Sequence, residues 1–411
     1  MIRWIIFIVI FGIIDLYAFQ AVRTTFRNKW VNIAYLTVSI IVLGNFIYQL
    51  YTLDRSSGLS TRVNLAIGLF LTLYVPKMAI LIFMFGEDII RVPQALYRYF
   101  STGGMAETSG YLPSRRKFVS QLALGIAAIP FASFLYGMVK GKYNFKVLKY
   151  TLHFEDLPDA FDGYRITQIS DIHSGSFDNR EKIAYAVDLI NEQASDAILF
   201  TGDMVNNMAA EMIPWKDTFA KLKAKDGMYS VLGNHDYGDY VSWASAEQKA
   251  ANLEELKTIQ QEIGFDLMLN ESRFIERDGQ RIAIVGVENW GKGFKQKGDL
   301  KKASEQLVKD DFKILLSHDP THWQEQVIHD DYHYHLTLSG HTHGMQFGIE
   351  IPGLIKWSPV KWRYKYWAGV YEEKGQFINV NRGFGFLAFP GRVGIWPEIT
   401  VIELKKGLKD A

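Results

Sequence analysis

A chain of 411 residues is long enough for two domains, or for one large domain with an appendage. Its 45 basic and 44 acidic residues nearly cancel, which gives no electrostatic case for a nucleic-acid partner. Cysteine is absent, so disulfides, thiolate nucleophiles and Cys-ligated zinc are excluded; any metal falls to His, Asp, Glu, Asn or backbone groups, a set suited to Mn, Fe, Zn or Mg.

The balanced average hides a split between a strongly apolar N-terminal third and a remainder that reads as soluble α/β sequence. Residues 4–20, 30–51, 64–86 and 118–139 are four apolar runs. Each has roughly the 17–25 residues needed to cross a hydrocarbon core of about 30 Å. Polar residues do not recur in them at every third or fourth position, as the outer face of a soluble bundle requires. Residues 1–139 are therefore expected to form a transmembrane region of four helices in contact with a lipid bilayer. Asp15 interrupts the first run, and Pro76 with Lys77 stands in the third. That pair is either a packing kink or turned into the bundle interior.

Orientation is not set by loop charge. One side carries Arg23, Arg27, Lys29, Arg91, Arg98, Arg115, Arg116 and Lys117; the other carries Arg3, Arg55, Arg62, Lys140, Lys142, Lys146 and Lys149. That balance is too even for the positive-inside rule. The run from Ser114 through Arg115, Arg116 and Lys117 to Val119 resembles an internal twin-arginine export signal. Read so, or as a plain positive anchor, it keeps this loop cytoplasmic and places the chain after Val139 outside the cytoplasm.

Residues 140–146 read as a basic linker and 147–411 as the soluble domain. Strands are expected at 147–154, 164–170, 197–201, 227–232, 267–270, 274–277, 281–287, 313–316, 335–338, 376–380 and 399–404. Helices are expected at 180–194, 212–222, 245–263 and 301–309. The order mixes βα units with hairpins, which points to a layered α/β sandwich and not a purely parallel sheet. Two motif look-alikes fail. Gly286 to Lys292 has phosphate-loop spacing, but Gly293 stands where a Ser or Thr is needed. Gly383 to Ala388 echoes a dinucleotide fingerprint, but Pro390 and Gly391 stand where its helix would start.

Chemistry gathers at strand ends. Five apolar strands run into Asp171 and His173, into Asp203, into Asn234, His235 and Asp236, into His318, and into His341 and His343. Strand ends on one edge of a sheet converge, so separated segments can build one pocket. Glycines at 202, 233 and 340 let the backbone turn sharply beside an ion. Seven ligand-type side chains (Asp171, His173, Asp203, Asn234, His318, His341 and His343) exceed one tetrahedral zinc site but suit two metals sharing a carboxylate. Any one of them alone would read as a core histidine or turn cap. Together with His235 they take up five of the ten histidines in the chain, too large a share for scattered structural roles. His153 reads as structural, and His329, His333 and His335 as surface or structural; His322, four residues after His318, reads more readily as structural than as a neighbour of the site.

In this order these motifs resemble the calcineurin-like metallophosphoesterase superfamily over residues 150–404. The apolar anchor, the arginine pair and the closing Gly383, Gly385, Pro390, Arg392 and Pro397 resemble its bacterial membrane-anchored branch, that of twin-arginine-exported phosphoesterases. The resemblance implies a four-layer αββα sandwich and two divalent ions, Mn, Fe or Zn. One ion would be held by Asp171, His173, Asp203 and His343, the other by Asp203, Asn234, His318 and His341, with Asp203 bridging. It further implies hydrolysis of a phosphodiester, phosphomonoester or pyrophosphate by a metal-bridging hydroxide, with His235 assisting the leaving group beside Asn234. The protein-phosphatase members place an Asp three residues after the bridging one to orient that histidine. Here Asn206 stands there, which argues against that subtype and leaves Asp236 as a candidate partner.

The segment from Lys356 to Trp367 interleaves basic and aromatic residues, as a membrane-headgroup contact or a substrate rim would. The expected function is a membrane-anchored, dinuclear phosphoesterase acting on a small or lipid-linked phosphoester. The alternatives are a non-catalytic metal-binding scaffold or sensor, against which Asp203, Asn234 and His235 are all present, and a nuclease, against which no basic stripe is present.

Overall fold

Each apolar run forms a helix: α1 (Ile2–Thr25), α2 (Lys29–Tyr51), α3 (Thr61–Ser101) and α4 (Pro113–Val139). The computed structural model describes residues 2–56, 58–101, 113–351 and 353–408. All four helices are long and apolar enough to cross a membrane. Helix α3 runs 41 residues, about 60 Å at 1.5 Å per residue, and so extends past the expected end at residue 86. Arg91 and Arg98 therefore lie on a helix and not in a loop; the rest of that loop, residues 102–112, lies outside the described residues, as do residues 409–411 of the expected soluble domain. The extension is held by ion pairs of Asp88 with Arg91 and of Arg116 with Glu87 and Asp88, each 2.8 Å.

Lys77 faces the interior of this helical unit. Its ammonium pairs with Asp15 and donates to Ser39 Oγ at 2.7 Å, while the Tyr74 hydroxyl donates to Asp15 at 2.6 Å. A charge on an apolar span is tolerated when paired in this way. Of the arginine pair, Arg115 is exposed and Arg116 is buried in its ion-pair network.

A second unit comprises Asp54–Ser60 and the chain from Val139 onward. Its first sheet has the order β1 (Lys146–Phe154), β14 (Glu398–Lys406), β2 (Arg165–Ile169), β3 (Ala197–Phe200), β4 (Met228–Ser230) and β5 (Asp266–Leu267). Only the β14–β2 pairing is antiparallel. The second sheet has the order β12 (Gly369–Glu373), β13 (Gln376–Val380), β9 (Leu336–Ser339), β8 (Phe312–Leu316), β7 (Gln280–Gly286) and β6 (Glu271–Arg277). Its two outer pairings are antiparallel and the rest parallel.

Alternation along the strands builds the layers. In β3, Ala197 and Leu199 pack with Ile282, Ile284 and Ile314 of the other sheet. Ile198 and Phe200 instead join Ile183 and Val187 of α5 (Arg180–Asn191), Phe219 of α6 (Lys216–Phe219) and Leu256 of α7 (Ala246–Ile263). On the far side Val285, Leu315 and Ile378 pack with Leu300 of α8 (Leu300–Ala303) and Trp323 of α9 (Pro320–Glu325). The result is the expected αββα sandwich.

Two expected helices are cut short. Over 212–222 the chain makes tight turns before a four-residue α6. Over 301–309 only α8 forms; Asp311 takes the Val308 N–H at 2.8 Å while pairing with Arg281, which draws the chain into a loop. Strand β12, helix α9 and a separate ribbon of β10 (Ile349–Ile351) and β11 (Ile355–Trp357) were not anticipated.

Candidate metal centre

The C-terminal ends of β2, β3 and β4 from one sheet and of β8 and β9 from the other meet at one place. There the ligand atoms of Asp171, His173 and His343 lie within 4.8 Å of one another, as do those of Asp203, His318 and His341. Asp203 Oδ2 joins the two groups, 3.6 Å from His173 Nε2 and 3.1 Å from His318 Nε2. His318 Nε2 and His341 Nδ1 are 3.2 Å apart. Asn234 follows Gly233 at the end of the β4 segment.

Close approach of these segments needs glycine at two positions. A Cβ on Gly202 would lie 2.4 Å from the Gly233 nitrogen, and one on Gly233 would lie 2.2 Å from Asp203 Oδ1. The backbone is also strained. Asp171 (φ 53°), His173 (48°), Asp203 (60°), His341 (69°) and His343 (49°) are all left-handed. Non-glycine residues held so cost on the order of 1–3 kcal/mol each and cluster at functional sites.

Hydrogen bonds select which atom of each side chain faces the cluster. His318 Nδ1 donates to the Thr201 carbonyl at 2.7 Å, which turns Nε2 toward Asp203. His341 Nε2 is turned to the Tyr364 hydroxyl at 2.8 Å and to Asp319 Oδ2 at 3.4 Å, which leaves Nδ1 facing His318. Asn234 Nδ2 donates to the Tyr240 hydroxyl at 2.8 Å, which turns Oδ1 inward. Asn234 Oδ1, both nitrogens of His173 and His343 Nε2 are buried with no hydrogen-bond partner among the described residues. An unsatisfied buried polar atom costs about 1–3 kcal/mol, so the acceptor that Asn234, neutral His173 and neutral His343 can each offer fits a cation. Oxygen and imidazole donors suit divalent ions.

The electrostatics agree. Burial alone would raise the Asp171 and Asp203 carboxyls, but the surrounding histidines hold both well below the ordinary carboxylate range. Burial drives His173 well below the usual imidazole value and lowers His341 and His235. His318 is the exception: burial opposes its charge, yet Asp203 and Asp171 push it up to about 10.

His235 sits beside the cluster. Its backbone N–H donates to Asp203 Oδ1 at 2.8 Å and its Nδ1 donates to the Asn206 carbonyl at 2.7 Å. Its ring lies over Tyr240, with centroids 4.4 Å apart. The backbone of residue 206 thus takes the orienting position for which a carboxylate was sought. Asp236 instead accepts the N–H groups of Gly233, Asp203 and Met204 at 2.8–2.9 Å, bracing the turn after β3. Burial and the neighbouring Asp203 charge push its carboxyl up to about 7.

The sequence reasoning missed Asp319, Tyr240 and Tyr364. Asp319 had a signal, since it stands between His318 and Pro320 and caps α9 by accepting the Thr321 N–H at 2.8 Å. Tyr364 had none beyond its aromatic segment. His322 bonds Ser317 Oγ at 2.8 Å and lies apart from the cluster. His335 bonds Asp156 at 2.8 Å, again away from it. The closing motif supports the floor of the site: Gly385 N–H donates to the Asp171 carbonyl at 2.8 Å, and buried Arg392 donates to the Gly385 carbonyl at 2.6 Å.

Comparison with known proteins bears on the family. Residues 164–345 match the family described as "Calcineurin-like phosphoesterase", and residues 2–142 match "Probable Calcineurin-like phosphoesterase, transmembrane domain". The metallophosphoesterase YkuE of Bacillus subtilis is 30% identical over 302 residues, covering 71% of this chain and 98% of that protein. Phosphodiesterase YaeI of Escherichia coli is 27% identical, covering 71% of this chain and 99% of its own length. The transmembrane protein with metallophosphoesterase domain of Danio rerio is 26% identical over 66% of this chain, which spans 60% of that longer protein. With four candidate membrane spans ahead of the αββα domain, the chain is a membrane protein that belongs to the calcineurin-like metallophosphoesterases.

Proposed function

We propose that the protein is a dinuclear metal-dependent phosphoesterase. Asp171, His173, Asp203 and His343 would hold one divalent ion, and Asp203, Asn234, His318 and His341 the other. The observation that carries this is the position of Asp203 Oδ2 between the two histidine groups, with inward-facing acceptors left unpaired around it. The bound ions would supply Lewis-acid polarisation of the phosphoryl group and a water acidic enough to ionise near neutral pH.

The chain's own residues do the rest. Asp203, fixed through its other oxygen by the His235 N–H, keeps both halves in register. His235, held at Nδ1 by the Asn206 carbonyl, presents Nε2 to a leaving oxygen, and would act as proton donor in its imidazolium form, which burial opposes and the Asp203 charge favours. Manganese, iron or zinc would suit the donor set. The substrate is a small or lipid-linked phosphodiester, phosphomonoester or pyrophosphate, and the run of Arg115, Arg116 and Lys117 favours an extracytoplasmic catalytic domain.

The test is turnover of bis(p-nitrophenyl) phosphate and of the monoester by the full chain in detergent, supplied with manganese, with elemental analysis of the same sample. About two metals per chain and ester turnover abolished by a chelator are expected. A preparation that binds no divalent metal would overturn the reading. Bound metal without turnover of either ester would redirect the assay to pyrophosphates.

A further inference from the structure

Strands β10 and β11 form an antiparallel ribbon outside both large sheets. Its register pairs Ile349 with Trp357, Glu350 with Lys356 and Ile351 with Ile355. Alternation therefore puts Ile349, Ile351, Ile355 and Trp357 on one face and Glu350 with Lys356 on the other. A ribbon on a soluble domain normally turns its apolar face inward.

This one is reversed. Glu350 is pinned to Arg382 by bonds of 2.5 and 3.0 Å, and Arg382 in turn pairs with buried Glu398 at 2.5 Å. The Lys356 ammonium donates to the Ala368 carbonyl. Glu350 thus fastens the polar face to the domain, and on the apolar face the three isoleucines are exposed while Trp357 is half-buried. Ile349 and Ile351 are each 49% exposed, Leu354 80% and the nearby Trp362 76%. Among the described residues beyond 140, eleven large apolar side chains are exposed, and six of them fall within 345–362. That concentration marks an interaction surface and not ordinary scatter. Lys361 and Arg363, both exposed, flank Trp362.

We propose that this ribbon docks the catalytic domain on an anionic lipid surface. The isoleucines, Leu354 and Trp362 enter the boundary between headgroups and acyl chains, and Lys361 and Arg363 meet lipid phosphates. A bilayer is favoured as occupant because apolar side chains edged by cations match its chemistry, and because the domain is joined to a candidate membrane span through residues 140–145. The docked segment is continuous with the site. The ribbon begins at Ile349, shortly after His343, and Tyr364, which contacts His341, stands just beyond Trp362. Docking would thereby present the phosphoester of a lipid headgroup to the metal centre. This last consequence rests on the proposed function; the docking does not.

The absence of cysteine allows single-site labelling. Leu354→Cys, and Val308→Cys as an exposed control, are made in the full chain, labelled with the fluorophore NBD and reconstituted into nanodiscs containing phosphatidylglycerol. Expected for Leu354→Cys are blue-shifted emission and quenching by doxyl-labelled lipid, both lost on adding Ile355→Asp with the circular dichroism unchanged; the control stays accessible to aqueous iodide. A Leu354→Cys label as open to iodide as the control, and blind to doxyl lipid, overturns the proposal. Equal doxyl quenching in pure phosphatidylcholine overturns its anionic part. Pyrene excimers at Leu354→Cys that replace lipid quenching would assign the face to a second copy and overturn it too. The label reads docking whether or not the chain turns over esters, so failure of one reading is distinguishable from failure of the other.

Discussion

Replacing His235 by alanine separates the work of holding metal from the work of moving a proton. The ring makes one hydrogen bond, from Nδ1 to the Asn206 carbonyl at 2.7 Å, and packs on Tyr240 at 4.4 Å and His173 at 4.9 Å between centroids. The contact with Asp203 runs through the backbone N–H at 2.8 Å and survives the substitution. Removing the ring takes away none of the seven candidate ligands. It leaves the buried Asn206 carbonyl without that donor, a cost of about 1–3 kcal/mol, within the roughly 5–15 kcal/mol that keeps a domain folded. Loss of a positioned general acid lowers turnover by about 10²–10⁴-fold, or about 2.7–5.4 kcal/mol at 1.36 kcal/mol per tenfold. The assay is kcat with metal content on the same His235→Ala sample. Both metals should remain while kcat falls by that factor. Loss of metal along with the ring, or a kcat within tenfold of the parent, would refute this division of roles.

Asp203→Asn should remove metal and activity together, read by elemental analysis and ester turnover, because one oxygen of this carboxylate faces both histidine groups. Tyr364→Phe deletes the hydroxyl 2.8 Å from His341 Nε2; metal affinity should drop about 10–100-fold, the usual effect of losing an orienting partner, measured by competition with a chelator. Gly233→Ala places a Cβ 2.2 Å from Asp203 Oδ1 and 2.6 Å from its backbone nitrogen. The thermal midpoint and the metal content should fall together, with at least about 1–3 kcal/mol lost to overpacking. Acid should destabilise the metal-free fold. Burial lowers both His322 and His335 to about 4, against about 6.5 in an unfolded chain. The unfolded state therefore takes up these protons first, and the stability present above about pH 6.5 is lost as pH falls toward 4, by about 3 kcal/mol per histidine. Denaturation followed by tryptophan fluorescence should show this slope, reduced in His335→Gln.

The four apolar helices, eleven of the strands and the six side chains gathered into two groups were legible in the sequence because each depends on local pattern. A span needs only apolar length, a strand only alternation or an apolar run, and a strand-end ligand only a glycine turn followed by a polar side chain. The end of α3 was not legible, since Arg116 secures Glu87 and Asp88 from another helix. The atoms that aim the site were not legible either. His318 is turned by the carbonyl of Thr201, 117 positions away in the chain. His235 is held by a backbone carbonyl, which no side-chain identity at position 206 reveals. The direction of the β10–β11 ribbon belongs to the same class. Its alternation is local, but which face turns outward was decided by Arg382 gripping Glu350 across the fold. Sequence determines what each segment can offer; the tertiary structure decides which offer is taken up, because hydrogen bonds and ion pairs between distant segments exist only once the sheets have assembled.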